Sequence, residues 1–198
     1  TELSRKLELR QKTCWSFKRK VMKAMKSSEE YPITGKAEVD ETVFGQQEEN
    51  VRGRKNAKKK LVAVGIEKKG KGVSCLYARV IPGADAVSLG KFMRDHIDPE
   101  AEVTTDQWIG YGPVAKDFVN MKQIPSGKKG TNFPELHRTI MMLKAWLRGI
   151  HHHVDDLQDY LDEYCYRFNR SFMKEKIFEN LMLRMVNSSP CYIKDISS

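Results

Sequence analysis

The order of strand-like and helix-like segments restricts the fold of this chain more than any other feature of its sequence. Alternating or short apolar runs predict five strands, at residues 37–44, 60–68, 72–81, 101–106 and 121–125. Helical spacing predicts five helices, at residues 85–97, 107–118, 134–150, 154–169 and 174–186. Asn132 is the predicted cap of the third of these helices. Three strands in succession, followed by strands that alternate with helices, predict an α/β domain.

The first 30 residues are predicted to form a separate helical segment. Nine of the first 26 residues are Lys or Arg. A short helix, a tight turn and a basic second helix predict part of a helix-turn-helix that contacts DNA through Lys12, Lys18 and Arg19. A solvated amphipathic helix is equally compatible with the pattern. The predicted domains are therefore residues 1–30, a main domain at 31–186, and a loose polar tail at 187–198.

The chain of 198 residues carries a surplus of positive charge. Its 35 Lys and Arg residues face 26 Asp and Glu residues, and the formal charge of +9 favours a nucleic-acid partner. Six of the nine residues 52–60, between the first two predicted strands, are cationic. We expect this loop to bind phosphates, although a solvated hairpin tip has the same composition. The predicted contacts are Arg52, Arg54, Lys55, Lys58 and Lys59.

The cysteines and the hydropathy pattern exclude other classes of protein. The four cysteines form no C-x-x-C pair, so we expect reduced thiols in a cytosolic protein and no zinc site. No apolar run approaches the roughly 18 residues of a membrane span. Because residue 1 lies within a helical pattern, we expect the sequence to be part of a longer protein.

Two acids lie where phosphodiester chemistry would need them. Cleavage of a phosphodiester commonly uses two divalent ions, and magnesium prefers carboxylate oxygens. Asp40 lies within the first predicted strand and Asp106 ends the fourth. The order of elements is that of the RNase H-like fold, in which these two strands are neighbours, so we expect both carboxylates at one edge. Taken alone, Asp40 also fits a solvent-facing strand position, and Asp106 also fits a helix cap.

Glu135 and His137 compete for the role of third ligand on the helix at 134–150. At 100° per residue, one apolar stripe faces the core, formed by Leu136, Ile140, Leu143, Leu147 and Ile150. His137, Lys144 and Arg148 lie on one flank of that stripe, whereas Glu135 lies on the other flank near Trp146. A ligand beside two cations suits a site that cuts DNA, which favours His137. The alternative is that His137 is a polar residue at the edge of the core and Glu135 an ordinary first-turn acid.

Several motifs in this order resemble those of ISXO2-like transposases of bacterial insertion sequences, which are relatives of the eukaryotic Merlin elements. The matching motifs are E-V-D-E-T at 38–42, T-D-Q-W with Tyr111 at 105–111, N-F-P-E-L-H-R at 132–138, L-K-A-W-L-R-G at 143–149, and Y-L-D-E-Y with Y-R-F-N-R at 160–170. Gln107 departs from the usual Gly of the second motif. The zinc ribbon that usually precedes the helix-turn-helix is not in this sequence.

The resemblance implies an RNase H-like mixed sheet flanked by helices and a DDE-type mechanism with His as the third residue. It implies the catalytic set Asp40, Asp106, His137 and Lys144, in which Lys144 is the seventh residue after His137. The first three would bind two ions of Mg²⁺ or Mn²⁺, and Lys144 would position DNA. A metal-activated water would cut the transposon end, and the freed 3′-hydroxyl would attack target DNA.

The implied partners are transposon ends and target DNA, with a homodimer when two ends are synapsed. The expected location is the bacterial cytoplasm at the nucleoid, or the nucleus in a eukaryote. Two alternatives remain from the sequence alone. One is an inactive or domesticated DNA-binding protein, and the other is a nuclease of the same fold that does not join strands.

Overall fold

The computed structural model describes residues 2–27, 29–45, 59–150 and 156–192. The chain forms two compact units, one from residues 28–158 and one from residues 1–27 together with 159–198. Six α-helices lie in the described ranges: α1 (Glu2–Leu7), α2 (Gln11–Met25), α3 (Ala86–His96), α4 (Pro134–Ile150), α5 (Leu157–Asn169) and α6 (Lys176–Asn187). The predicted basic contacts Arg52, Arg54, Lys55 and Lys58 lie outside the described residues.

The larger unit contains a mixed five-stranded sheet. Its strands are β1 (Lys36–Phe44), β2 (Lys60–Lys69), β3 (Gly72–Ile81), β4 (Glu102–Thr105) and β5 (Asn120–Gln123), in the order β3-β2-β1-β4-β5. The first three strands pair antiparallel, whereas β4 is parallel to both β1 and β5. All five predicted strands are present, and the α/β architecture with an RNase H-like mixed sheet flanked by helices is confirmed.

Helix α3 covers one face of the sheet. The Asp85 side chain caps its first turn by accepting from the backbone N–H groups of Val87 and Ser88, both at 3.0 Å. Its apolar stripe, which includes Leu89 and Phe92, is fully buried against residues of the central strands such as Val39. Because side chains alternate along a strand, the neighbours of Val39 point to the opposite face.

Helix α4 covers that opposite face at β1 and β2. The predicted apolar stripe is buried at Leu136, Ile140, Leu143 and Leu147. Asn132 does not occupy the predicted capping position, because the helix begins two residues later at Pro134. Its side-chain amide instead donates to the Pro125 carbonyl at 2.8 Å. An Asn side chain competes for nearby backbone groups wherever they are close, so a cap cannot be assigned from residue type alone.

The predicted helix at residues 107–118 is wrong in type. The segment forms two 3₁₀ turns, Ile109–Tyr111 and Pro113–Asp117. Pro113 lacks an N–H group for a continuous helix, and Gly110 lies so close to the Ala84 carbonyl that an added Cβ would be 2.5 Å from that oxygen. Apolar spacing suggested an α-helix here, but tertiary contact with the turn before α3 fixes a tighter path.

Gln158 covers the free edge of β3. Its side-chain oxygen accepts from the Val80 N–H at 2.8 Å, and its nitrogen donates to the Ala78 carbonyl at 3.2 Å. The amide therefore forms, at Ala78 and Val80, hydrogen bonds of the kind that a further strand would form at this edge. An occupied edge is protected against pairing with another chain.

The smaller unit is helical and combines the two ends of the chain. The Arg19 guanidinium forms an ion pair with Asp159 at 2.7 Å, and the Arg184 Nε donates to the Ala24 carbonyl at 2.8 Å.

Helices α1 and α2 have the predicted short helix, turn and basic helix, with Glu8 at the turn in a left-handed conformation. The sequence assigned residues up to 186 to the main domain, whereas α6 and most of α5 pack with the N-terminal helices. DNA binding by residues 1–30 stays a prediction.

Candidate active site

The two candidate carboxylates follow the ladder between β1 and β4. This parallel ladder ends at the pair Val39 and Thr105, so Asp40 and Asp106 are the next residues on adjacent strands. Paired strands are separated by about 4.8 Å, so Asp40 and Asp106 each directly follow a residue of a closely spaced pair. Both are half-buried. The structure thus brings together the two acids that are 66 positions apart (106 − 40) in the chain.

One oxygen of each carboxylate is fixed by a backbone donor. Asp40 Oδ1 accepts from the Glu41 N–H at 2.8 Å, and Asp106 Oδ1 accepts from the Trp108 N–H at 2.9 Å. The second bond is local to the chain just before the 3₁₀ turn Ile109–Tyr111, whose capping position is occupied by Trp108 and not by Asp106. Holding one oxygen in place orients the whole planar group, so this local bond and a ligand role are compatible.

Trp108 fixes the turn that follows Asp106. Its indole Nε1 donates to the Ala84 carbonyl at 2.7 Å. From β5, the Gln123 amide donates to the carbonyls of Asp106 and Trp108, both at 3.3 Å. These bonds connect the turn to elements on either side of it.

A buried Tyr–Glu pair lies beside the two carboxylates. The Tyr111 hydroxyl donates to Glu41 Oε2 at 3.0 Å; Tyr111 is 0% exposed and Glu41 is 8% exposed. Burial, followed by the negative charges of Glu41, Asp40 and Asp106, raises the pKa of Tyr111 well above its usual value. Sequence reasoning assigned no role to either member of this pair. The available signal was their position, since Glu41 follows Asp40 and Tyr111 ends the motif that contains Asp106.

The two flanks of α4 contact different parts of the sheet. Glu135 lies 3.6 Å from the Lys68 ammonium on β2, and the same ammonium lies 2.8 Å from the Glu38 carboxylate. On the other flank, the Lys144 Nζ donates to Thr42 Oγ1 on β1 at 2.6 Å. The predicted separation of Glu135 from Lys144 is therefore present in the structure.

Lys144 places a cation near Asp40. Burial, and then the neighbouring Arg148, lower the pKa of Lys144, whereas the charge of Asp40 opposes that shift. The Nζ also lies 5.4 Å from the centre of the Phe44 ring. A half-buried ammonium beside Asp40 is suited to meet a phosphate, because it has fewer competing water contacts than an exposed lysine.

His137 occupies a less open position than the sequence suggested. Its ring packs against Gly130, where an added Cβ would overlap the imidazole. The Nε2 atom is buried and has no hydrogen-bond partner among the residues that the structure describes. Within those same residues, no group of three or more His, Cys, Asp or Glu side chains is placed to hold a metal ion. The described arrangement therefore brings Asp40 and Asp106 together without gathering His137 into a three-ligand group.

The predicted DNA contacts differ in how accessible they are. Lys12, Lys18 and Arg148 are exposed, and the Lys18 ammonium lies 5.0 Å from the centre of the Tyr160 ring. Arg19 is only 11% exposed in its ion pair with Asp159. Lys59, the one described member of the predicted loop contacts, is half-buried. The cations that can reach a ligand without breaking an ion pair thus include Lys12 and Lys18.

Residues 32–169, more than half of the chain, match the family model described as ISXO2-like transposase domain. The chain belongs to this family. The matched range of the ISXO2-like domain contains the whole sheet, α3, α4 and both candidate carboxylates. No curated protein and no solved structure matches the chain. None of the helices that the structure describes is both long enough and apolar enough to cross a membrane.

Proposed function

We propose that this ISXO2-like domain is a DDE-type transposase that cuts transposon ends and transfers the strands into target DNA. The observation that carries the proposal is the placement of Asp40 and Asp106 side by side, just past the end of the β1–β4 ladder. Lys144 adds a cation near Asp40. The partners are transposon ends and target DNA, bound by a homodimer during synapsis.

The carboxylate pair suits Mg²⁺ or Mn²⁺. Magnesium is usually held by one or two carboxylates, with phosphate oxygens and water completing its coordination. Asp40 and Asp106 provide that number of protein ligands, and we propose that they hold two ions together with DNA. Bound divalent ions supply positive charge to the attacking and leaving oxygens of a phosphodiester.

The remaining members of the proposed site have separate roles. Lys144 would bind a phosphate oxygen next to the carboxylates, after exchanging its bond to Thr42. His137 is the proposed third residue, supported by a buried Nε2 that has no partner in the described structure. Glu135 is less suited to that role because it forms an ion pair with Lys68 on the other flank of α4.

A cleavage assay tests the enzyme proposal. Labelled transposon-end DNA is incubated with the protein and Mg²⁺ or Mn²⁺, in parallel with Asp40→Asn, Asp106→Asn, His137→Gln and Glu135→Gln. We expect metal-dependent nicking that is lost in the two Asp variants and strongly reduced in His137→Gln, with Glu135→Gln close to the parent. An inactive Glu135→Gln beside an active His137→Gln would reverse the choice of third residue. DNA binding without any cleavage would favour the binding-protein alternative.

Strand transfer requires its own measurement. A pre-cut end with a free 3′-hydroxyl is mixed with a supercoiled plasmid and a divalent ion, and joined products are measured by gel electrophoresis. A transposase joins the end to the plasmid, and removal of the 3′-hydroxyl abolishes the product. Cleavage of intact ends without any joining would identify a nuclease of the same fold.

A further inference from the structure

We propose that Tyr111 is a positioning residue that sets the separation of the Asp40 and Asp106 carboxylates. The inference rests on the proposed function, because it concerns the pair that would bind metal. It assigns Tyr111 no contact with the ion or with DNA. Its contact is with Glu41, the residue after Asp40 on β1.

The strand pairing explains why such a residue is needed. Backbone pairing fixes β1 against β4 only as far as Val39 and Thr105. Asp40 and Asp106 follow that last pair, where the ladder no longer sets the distance between the two strands. A connection beyond the ladder is therefore required to hold two like-charged groups side by side.

Hydrogen bonds through Tyr111 provide a continuous connection between the two carboxylates. On one side, the Glu41 N–H donates to Asp40, and the Glu41 side chain accepts from the Tyr111 hydroxyl. On the other side, the Tyr111 N–H donates to the Trp108 carbonyl at 3.1 Å, and the Trp108 N–H donates to Asp106. Tyr111 is the member that joins the strand with Asp40 to the turn with Asp106.

The surroundings make this connection rigid. Tyr111 and Glu41 are both buried, and a hydrogen bond between buried polar groups is costly to open without a replacement partner. Gly110 has no space for a side chain against Ala84, and Trp108 donates to the same carbonyl. A displacement of Tyr111 should therefore also displace Trp108 and the Asp106 carboxylate bonded to it.

The test is Tyr111→Phe, which keeps the ring and removes only the hydroxyl. Tyr77→Phe is the matched control, because Tyr77 is also buried and its hydroxyl donates to the Tyr31 carbonyl at 2.5 Å, in a bond that involves neither carboxylate nor the turn between them. Mn²⁺ binding to each protein is measured by calorimetry without DNA, and amide hydrogen exchange is measured without metal. We expect about tenfold weaker Mn²⁺ binding for Tyr111→Phe, as for other residues that orient metal ligands, and no change for Tyr77→Phe.

The exchange measurement separates this inference from the proposed function. We expect severalfold faster exchange of the Glu41 and Trp108 amides in Tyr111→Phe. Each amide donates directly to one carboxylate, and the lost hydroxyl bond is what joins the two segments that carry these amides. Parental exchange at both amides would overturn the inference whether or not metal binds. Parental Mn²⁺ affinity in Asp106→Asn would instead contradict the proposed metal site. If Tyr111→Phe does not fold, Glu41→Gln keeps an acceptor for Tyr111, and rapid exchange at Trp108 in that variant would overturn the inference.

Discussion

Lys68 lies between two carboxylates, 2.8 Å from Glu38 and 3.6 Å from Glu135. The side chain of Glu38 is 7% exposed, and its second oxygen, Oε2, has no partner in the described structure. The charge of Lys68 is therefore the main compensation for a buried carboxylate. Hydrogen bonding to Glu38 is the largest cause that raises the pKa of Lys68.

Lys68→Met should destabilise the domain far more than Glu135→Gln. Removing the ammonium leaves Glu38 buried without its donor, which should lower the free energy of unfolding by about 2 kcal/mol. Glu135→Gln should cost about 0.5 kcal/mol, since the longer ion pair is partly exposed to water. Urea denaturation measures both. Equal losses would show that Glu38 does not depend on Lys68.

Lys144→Met should weaken DNA binding without destabilising the fold. The pKa of Lys144 is lowered in the folded protein, so its positive charge costs folding stability at neutral pH. That cost is lost as pH rises from the folded pKa towards the unfolded value of 10.5. At neutral pH the Met variant should be at least as stable as the parent. The slope of log affinity against log salt should fall by about 1, as expected for one lost phosphate contact.

Lys71→Met is the control for that experiment. Lys71 is exposed beyond the Lys69 end of β2, whereas the Lys60 end pairs with Phe44, near Thr42 and Lys144. Its replacement should leave the salt dependence unchanged. A parental salt slope in Lys144→Met, or an equal change in Lys71→Met, would contradict a specific phosphate contact at Lys144.

Two Gly→Ala substitutions should have opposite effects on stability. At Gly110 the new Cβ would be 2.5 Å from the Ala84 carbonyl, so the turn must shift, at a cost of about 2 kcal/mol. At Gly149, in α4, no described atom lies within 4 Å of the new Cβ, and the better helix propensity of Ala should add about 0.8 kcal/mol. Chemical denaturation measures both changes. Gly110→Ala should also reduce cleavage, because the same turn carries Asp106, and a fully active variant would contradict that connection.

His96 should make the fold sensitive to acid. Its buried ring stacks on Tyr77, with centroids 4.4 Å apart, and burial followed by the charge of Arg79 lowers the pKa of His96 from 6.5 to about 4. The unfolded chain therefore binds a proton in a pH range where the folded protein does not. The free energy of unfolding should fall as pH drops from 6.5 towards 4, by about 3 kcal/mol from this group.

The measurement compares the parent with His96→Phe, which retains an aromatic ring against Tyr77. Unfolding free energies are determined in urea between pH 7 and pH 4. Because other groups titrate in both proteins, the difference between the two profiles isolates His96. Parallel profiles would contradict a neutral, buried imidazole.

The sequence by itself determined the elements whose patterns are local. Alternating and short apolar runs located all five strands. Helical spacing located α4, and the angular position of residues on that helix separated Glu135 from Lys144. These features depend on residues that are neighbours in the chain, so their periodicity is visible without the fold. The adjacency of the strands that lead to Asp40 and Asp106 was also predicted, but only from the order of elements along the chain.

Only the tertiary structure decided how distant segments meet. The Tyr111 hydroxyl reaches Glu41 across 70 positions, α6 packs with α2, and the contact of Gly110 with Ala84 favours 3₁₀ turns over the predicted helix. None of these has a periodic signature, because each depends on packing between elements and on which buried polar groups find partners. The sequence therefore determined which residues we propose for the chemistry, and the packed fold determined which residues contact them.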